Sequence, residues 1–271
     1  RERASLWRLW SGADDAAASA GWTYQSLVAR GSAGLRREDV RLLRADLPRT
    51  TCQPPVDLCA LERLLVAFLH RRQLDVGGYT QGMNFIAAFL LVTLGEEEAA
   101  FWALLRLSEK VCLFSHDMGP LQLELALLGL LVEERWPALH AKLEAVGVPV
   151  DAVATRWLLC CCHGTLPPAQ CALLWDAILF EEWVCPGGGL GVLLAMALAF
   201  VGARAAQIEA AESSFAAAEL LSTAGEAFVG ASGRRGGRES AAASEWQQGL
   251  RDTGPEEEEA ASPSGLEERG C

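Results

Sequence analysis

The chain has 271 residues, 51% of them hydrophobic, enough for one large domain or two small ones with a sizeable core. Its formal charge of -12 is uneven: residues 207–271 hold 13 acids and 5 bases, so the rest is only mildly acidic and lacks the basic footprint of a nucleic-acid binder. Nine cysteines, an odd number, lie mostly among leucines with no visible secretory signal, which argues against a disulfide framework and for thiols in a reducing, cytoplasmic compartment.

Abundant Ala and Leu, rare Tyr and the near absence of period-two alternation predict an all-α protein. The chain opens at Arg1 rather than a methionine, as a fragment would. Arg1 to Trp10 reads as a short helix stopped at Ser11-Gly12. Asp15 to Gly34 is rich in Ala, Ser and Gly and reads as a mobile connection with a short helix around Trp22 to Val28. Leu35 to Ala45 is a helix with an arginine-lined wet side. Pro48 disfavours helical geometry at Leu47, so the chain turns at Asp46 to Thr50 and leaves Arg49 on an exposed corner.

Asp57 caps a helix carrying Leu58 to Leu69, and His70-Arg71-Arg72 suit its C-terminus. Asp75 to Gln81 is a loop, and Gly82 to Leu94 is the next, almost wholly apolar helix. Glu96 to Glu98 open another, where negative charge is favoured. Helices follow over 121–134, 138–146, 152–162, 169–180 and 187–210, with a last one over 213–228. The apolar run Gly187 to Ala203 is short for a membrane span and reads as a core helix, so no transmembrane span is expected. Residues 230–271, with the acidic run Glu256 to Glu259, cannot build a core and read as a disordered tail after one domain over 1–229.

Two places carry polar chemistry. Asp46-Leu47-Pro48-Arg49-Thr50 presents a permanently charged, planar guanidinium suited to bidentate phosphate contact. Gly77-Gly78-Tyr79-Thr80-Gln81-Gly82-Met83-Asn84, where the first two glycines give the loop its turn, puts an amide, donor and acceptor at once, at the mouth of a buried helix. Asp46 is placed to hold Arg49 by a salt bridge. Gly82 lets the backbone come close to a partner. Tyr79 braces the loop, and Asn84 can hydrogen-bond across to the arginine segment. Cys160-Cys161-Cys162-His163 does not read as a metal site, because adjacent helical positions point about 100° apart. Trp7, Trp102, Trp157 and Trp175 read as core anchors, and Asp176 as a structural hydrogen-bond acceptor.

Four ordered blocks carry a resemblance: Arg3 to Trp7, Leu43 to Thr50, Tyr79 to Asn84, and Thr165-Leu166-Pro167-Pro168 with Leu174-Trp175-Asp176 and Glu181. Over about residues 3–205 the chain resembles the TBC domain of GTPase-activating proteins for Rab GTPases, nearest the growth-hormone-regulated TBC protein group. That resemblance implies a multi-helix domain in two helical lobes. It also implies an arginine finger at Arg49 and a glutamine finger at Gln81, both supplied in trans to a Rab-type GTPase in its GTP form. GTP and Mg²⁺ then belong to the partner, and no cofactor or metal of the chain's own is expected. Membrane association, if any, is peripheral and through the GTPase. The alternative is a catalytically silent Rab-binding module.

Overall fold

The computed structural model describes residues 2–75, 78–111, 114 and 118–230, and among these there is no β-strand. The first lobe holds α1 (Glu2–Ser11), α2 (Ala13–Ser19), α3 (Tyr24–Val28), α4 (Arg37–Asp46), α5 (Leu58–Asp75), α6 (Met83–Leu94) and α7 (Glu97–Lys110). The second holds α8 (Gly119–Arg135), α9 (Pro137–Ala145), α10 (Val150–Leu159), α11 (Pro168–Val184), α12 (Gly188–Glu209) and α13 (Ser214–Ser222). Residues Arg1–Val229 form one compact unit. The expectation for the acidic tail concerns residues that, from 231 on, lie outside those described.

The starts and stops follow local chemistry. Gly95 adopts a left-handed conformation that ends α6, and Glu97 and Glu98 then occupy the first turn of α7. Pro137 and Pro168 sit in the first turns of α9 and α11, where a missing N–H costs nothing. Ser213 caps α13 by accepting from the Ala216 N–H.

α6 is the centre of the first lobe and packs against α1, α5 and α7. α11 joins the lobes, with α1 on one side and α12 on the other. At the first contact Trp7 stacks on Trp175 with ring centroids 5.6 Å apart, and Phe89 of α6 meets Trp175 edge-on at 5.0 Å. Asp176 then accepts from Trp7 Nε1 at 2.7 Å and from Arg3 Nε at 2.9 Å. Arg3 and Trp7 are four apart, so one face of α1 brings both to one carboxylate. Trp102 and Trp157 are buried as well.

α12 is long and apolar enough, by length and composition, to cross a membrane. Here it packs against α8, α9, α10, α11 and α13, burying Leu193, Ala197, Phe200, Val201 and Ile208.

Four local expectations change. The expected short helix around Trp22 to Val28 is α3, but the small-residue stretch before it is also helical, as α2, rather than a mobile connection. Trp22 stacks on Trp102 at 4.7 Å and the Tyr24 hydroxyl donates to Glu97 at 2.5 Å, so α7 supplies the order that composition could not. Leu47 is helical (φ -51°, ψ -51°) despite the following proline, because its buried side chain continues α4 into a 3₁₀ turn over Leu47–Arg49. α5 runs on to Asp75, and Arg72 is buried rather than set on a wet helix end. α10 ends at Leu159, after which Cys161 and Cys162 take positive φ of 46° and 60° in a turn that buries all three thiols.

Candidate functional site

Arg49 closes the 3₁₀ turn with its side chain 75% exposed, and its guanidinium lies 4.0 Å from Asp46 Oδ1. So long and open a pair restrains the side chain little, since exposed ion pairs are screened by water. Gln81 is exposed in the turn before α6.

The segments that carry these two exposed groups are joined by a partly buried polar bridge. Asn84 Nδ2 donates to Thr50 Oγ1 at 2.9 Å, and the Thr50 hydroxyl donates to the Asp46 carbonyl at 3.0 Å. The Tyr79 hydroxyl lies 3.0 Å from Asp46 Oδ2 and 3.2 Å from Asn84 Oδ1. It has one proton for two acceptors, and the charged carboxylate is the stronger. Burial, and then the Asp46 carboxylate, push the Tyr79 phenol well above its ordinary value, so it stays a donor at neutral pH. The segments that carry Arg49 and Gln81 are thus laced together at Asp46 and Thr50 on one side and Tyr79 and Asn84 on the other.

A second set of contacts holds the loop before Gln81. Asp39 of α4 is buried and accepts from the Tyr79 N–H at 3.1 Å and from Arg36 Nε at 2.8 Å. Arg72 of α5 donates to the Gly78 carbonyl at 3.3 Å and to the Phe114 carbonyl at 2.5 Å. A Cβ on Gly78 would fall 1.8 Å from Arg36 Nη2 and 2.1 Å from Oδ1 of the buried Asp39, so a larger residue would have to displace the ion pair. Gly77, the other glycine read as part of this turn, lies outside the described residues.

Gly82 has a different job from the one its sequence suggests. It is buried at φ +103°, and a Cβ there would lie 3.3 Å from Cys160 Sγ and 3.5 Å from Leu159 Cγ. The close approach is to the end of α10, inside the protein, and not to a partner. Burial raises the Cys160 thiol to about 11, so it is a neutral packing group beneath the Gln81 turn.

The Rab-GTPase-TBC domain profile matches residues 1–208. The chain belongs to the Rab-GTPase-TBC family. Growth hormone-regulated TBC protein 1 from Homo sapiens is 33% identical over 190 residues, covering 66% of this chain and 55% of that protein. Growth hormone-regulated TBC protein 1-A from Danio rerio is 30% identical over 190 residues, covering 66% and 52%. The chain therefore spans about half the length of the curated relatives it matches. Among solved structures, the Chlamydomonas flagellar RabGAP TBC domain superposes with a TM-score of 0.69 at 25% identity, over 83% of this chain and 75% of that one. The Ypt/Rab-GAP domain of Gyp1p shares the fold, with a TM-score of 0.65 at 16% identity over 84% and 85%.

All six residues singled out in the sequence fall inside the matched segment of this TBC domain. Three others were missed. Thr50 is the acceptor that completes the bridge, Asp39 holds the loop backbone, and Arg72 holds its carbonyl. Asp39 was findable: it lies seven residues before Asp46, so the two carboxylates share a face of α4. Arg72 carried no such signal. Among the described residues no group of three or more His, Cys, Asp and Glu side chains is placed to hold a metal ion.

Proposed function

We propose that this TBC domain accelerates GTP hydrolysis on a Rab-type GTPase, with Arg49 and Gln81 supplied in trans. The supporting observation is the Asn84–Thr50 bond, which ties the two exposed side chains' segments into one edge. In this reading the guanidinium neutralises charge that develops on the transferring phosphoryl group. The Gln81 amide holds the attacking water, accepting a proton contact from it while donating to the phosphate. Nucleotide and Mg²⁺ are the GTPase's own. The chain acts in the cytoplasm at membranes where the GTPase is anchored, and so bears on vesicle traffic.

The test is single-turnover hydrolysis by a panel of GTP-loaded Rab GTPases with the purified chain, alongside Arg49→Ala and Gln81→Ala. An arginine supplied in trans is worth ~10³–10⁵ in rate, so Arg49→Ala should lose most of the stimulation. Gln81→Ala should also lose it by orders of magnitude. Both side chains are exposed, so neither variant should change the unfolding temperature. Full stimulation by either variant would remove that residue from the mechanism.

A further inference from the structure

A cavity of about 610 Å³ opens directly beside the Arg49 segment. Thr50, Cys52 and Val56 form one wall, and His163, Leu166 and Cys171 the other. It thus lies between the stretch that follows Arg49 and the turn joining α10 to α11. No Asp, Glu, Lys or Arg lines it. Burial holds the Cys52 and Cys171 thiols above their ordinary range and the His163 imidazole below its own, so these groups are uncharged at neutral pH. With no charged side chain in its lining, and with Val56, Leu58, Leu166 and prolines beside the Thr51 hydroxyl and the Gln53 amide, the hollow suits an apolar side chain better than a phosphate.

Its position limits what can cover it. Thr50 is both a wall of the cavity and the next residue after Arg49, about 3.8 Å away along the chain. A GTPase that brings its terminal phosphate to Arg49 also brings its surface beside Thr50 and Thr51, which line this cavity. We propose that the cavity is an anchor socket that takes an exposed apolar side chain of that GTPase and helps decide which GTPase is accepted. The inference rests on the activating role of Arg49 given above and adds to it a separate determinant of partner choice. Apolar anchors seated in pockets dominate binding at many interfaces, so blocking the socket should weaken docking without touching the chemistry.

Cys52→Phe and Thr51→Trp each fill the socket from its first wall. Cys52 is half-buried and Thr51 exposed, so both positions have room to turn a larger side chain into the hollow. The GTPase used is the panel member that the wild-type chain stimulates most. The expected result is a KM for that GTPase raised about tenfold or more, with kcat within about twofold and the unfolding temperature unchanged. Arg49→Ala, measured in parallel, should do the opposite, losing kcat while KM holds. A wild-type KM in the folded filling variants would overturn the socket and leave Arg49 untouched. Wild-type turnover by Arg49→Ala, or stimulation of no panel member, would overturn the activating role and the socket with it.

Should Cys52→Phe fail to fold, alkylation of Cys52 by iodoacetamide in the wild-type chain, followed by peptide mass spectrometry, reads the same surface. The GTPase trapped with GDP and aluminium fluoride should slow Cys52 modification severalfold. An unchanged rate would overturn the proposal.

Discussion

Replacing Asn84 with alanine separates the bridge from the proposed fingers, Arg49 and Gln81. Asn84 is 1% exposed and makes two side-chain contacts, to Thr50 Oγ1 at 2.9 Å and from the Tyr79 hydroxyl at 3.2 Å. Truncation strands no donor: Tyr79 still has Asp46 Oδ2 and Thr50 still has the Asp46 carbonyl. Because the single Tyr79 proton goes to Asp46, the loss is that of one ordinary hydrogen bond, Asn84 to Thr50, about 1 kcal/mol. In a domain of this size each kcal/mol moves Tm by roughly 2–4 °C, so Tm should fall by about that much. Stimulated turnover should fall further than stability requires. With the segments unlaced, a displacement on the order of 1 Å between Arg49 and Gln81 costs up to ~10²-fold. Circular dichroism melts and urea midpoints measure the first effect, and kcat at saturating GTPase, below the new Tm, measures the second. An unchanged Tm would mean that the bridge does not form in solution. A lowered Tm with wild-type kcat would refute the claim that the bridge positions the fingers.

Two further outcomes follow from geometry elsewhere in the chain. Asp176→Ala leaves the fully buried Trp7 Nε1–H without its acceptor and should cost about 1–3 kcal/mol in urea unfolding. Arg3→Ala breaks only the half-exposed ion pair to the same carboxylate and should cost less than ~1 kcal/mol; equal losses would contradict this ranking. The third concerns pH. Desolvation, and secondarily Arg156, hold the His163 imidazole below its ordinary 6.5. The unfolded chain therefore takes up a proton at a higher pH than the native one. Stability from this group is intact above about 6.5 and declines as pH falls below it towards the native value. His163→Gln should flatten the drop in urea midpoint between pH 7.5 and 5.5; an identical drop in both proteins would exclude His163 as its source.

The helices were legible because their signals are local. The run Phe85 to Leu94, Gly95 behind it and the acids at the head of α7 dictate two helices and the break between them within a few residues. The four ordered blocks likewise identified the family, and the Arg3–Trp7 spacing already put two donors on one face of α1. What the sequence alone determined, then, is which residues form helices and which chemical groups stand at their ends. Tertiary structure decided which groups meet. Asn84 reaches Thr50 across 34 residues, and Asp39 reaches the Tyr79 backbone across 40. The Gly82 backbone packs close to Cys160, α2 packs against α7, and Trp22 and Tyr24 reach Trp102 and Phe101 of α7. Periodicity marks a face as buried but does not say what will cover it. A hydrogen bond between distant segments depends on backbone positions set by every helix packed between them, and no local pattern encodes those.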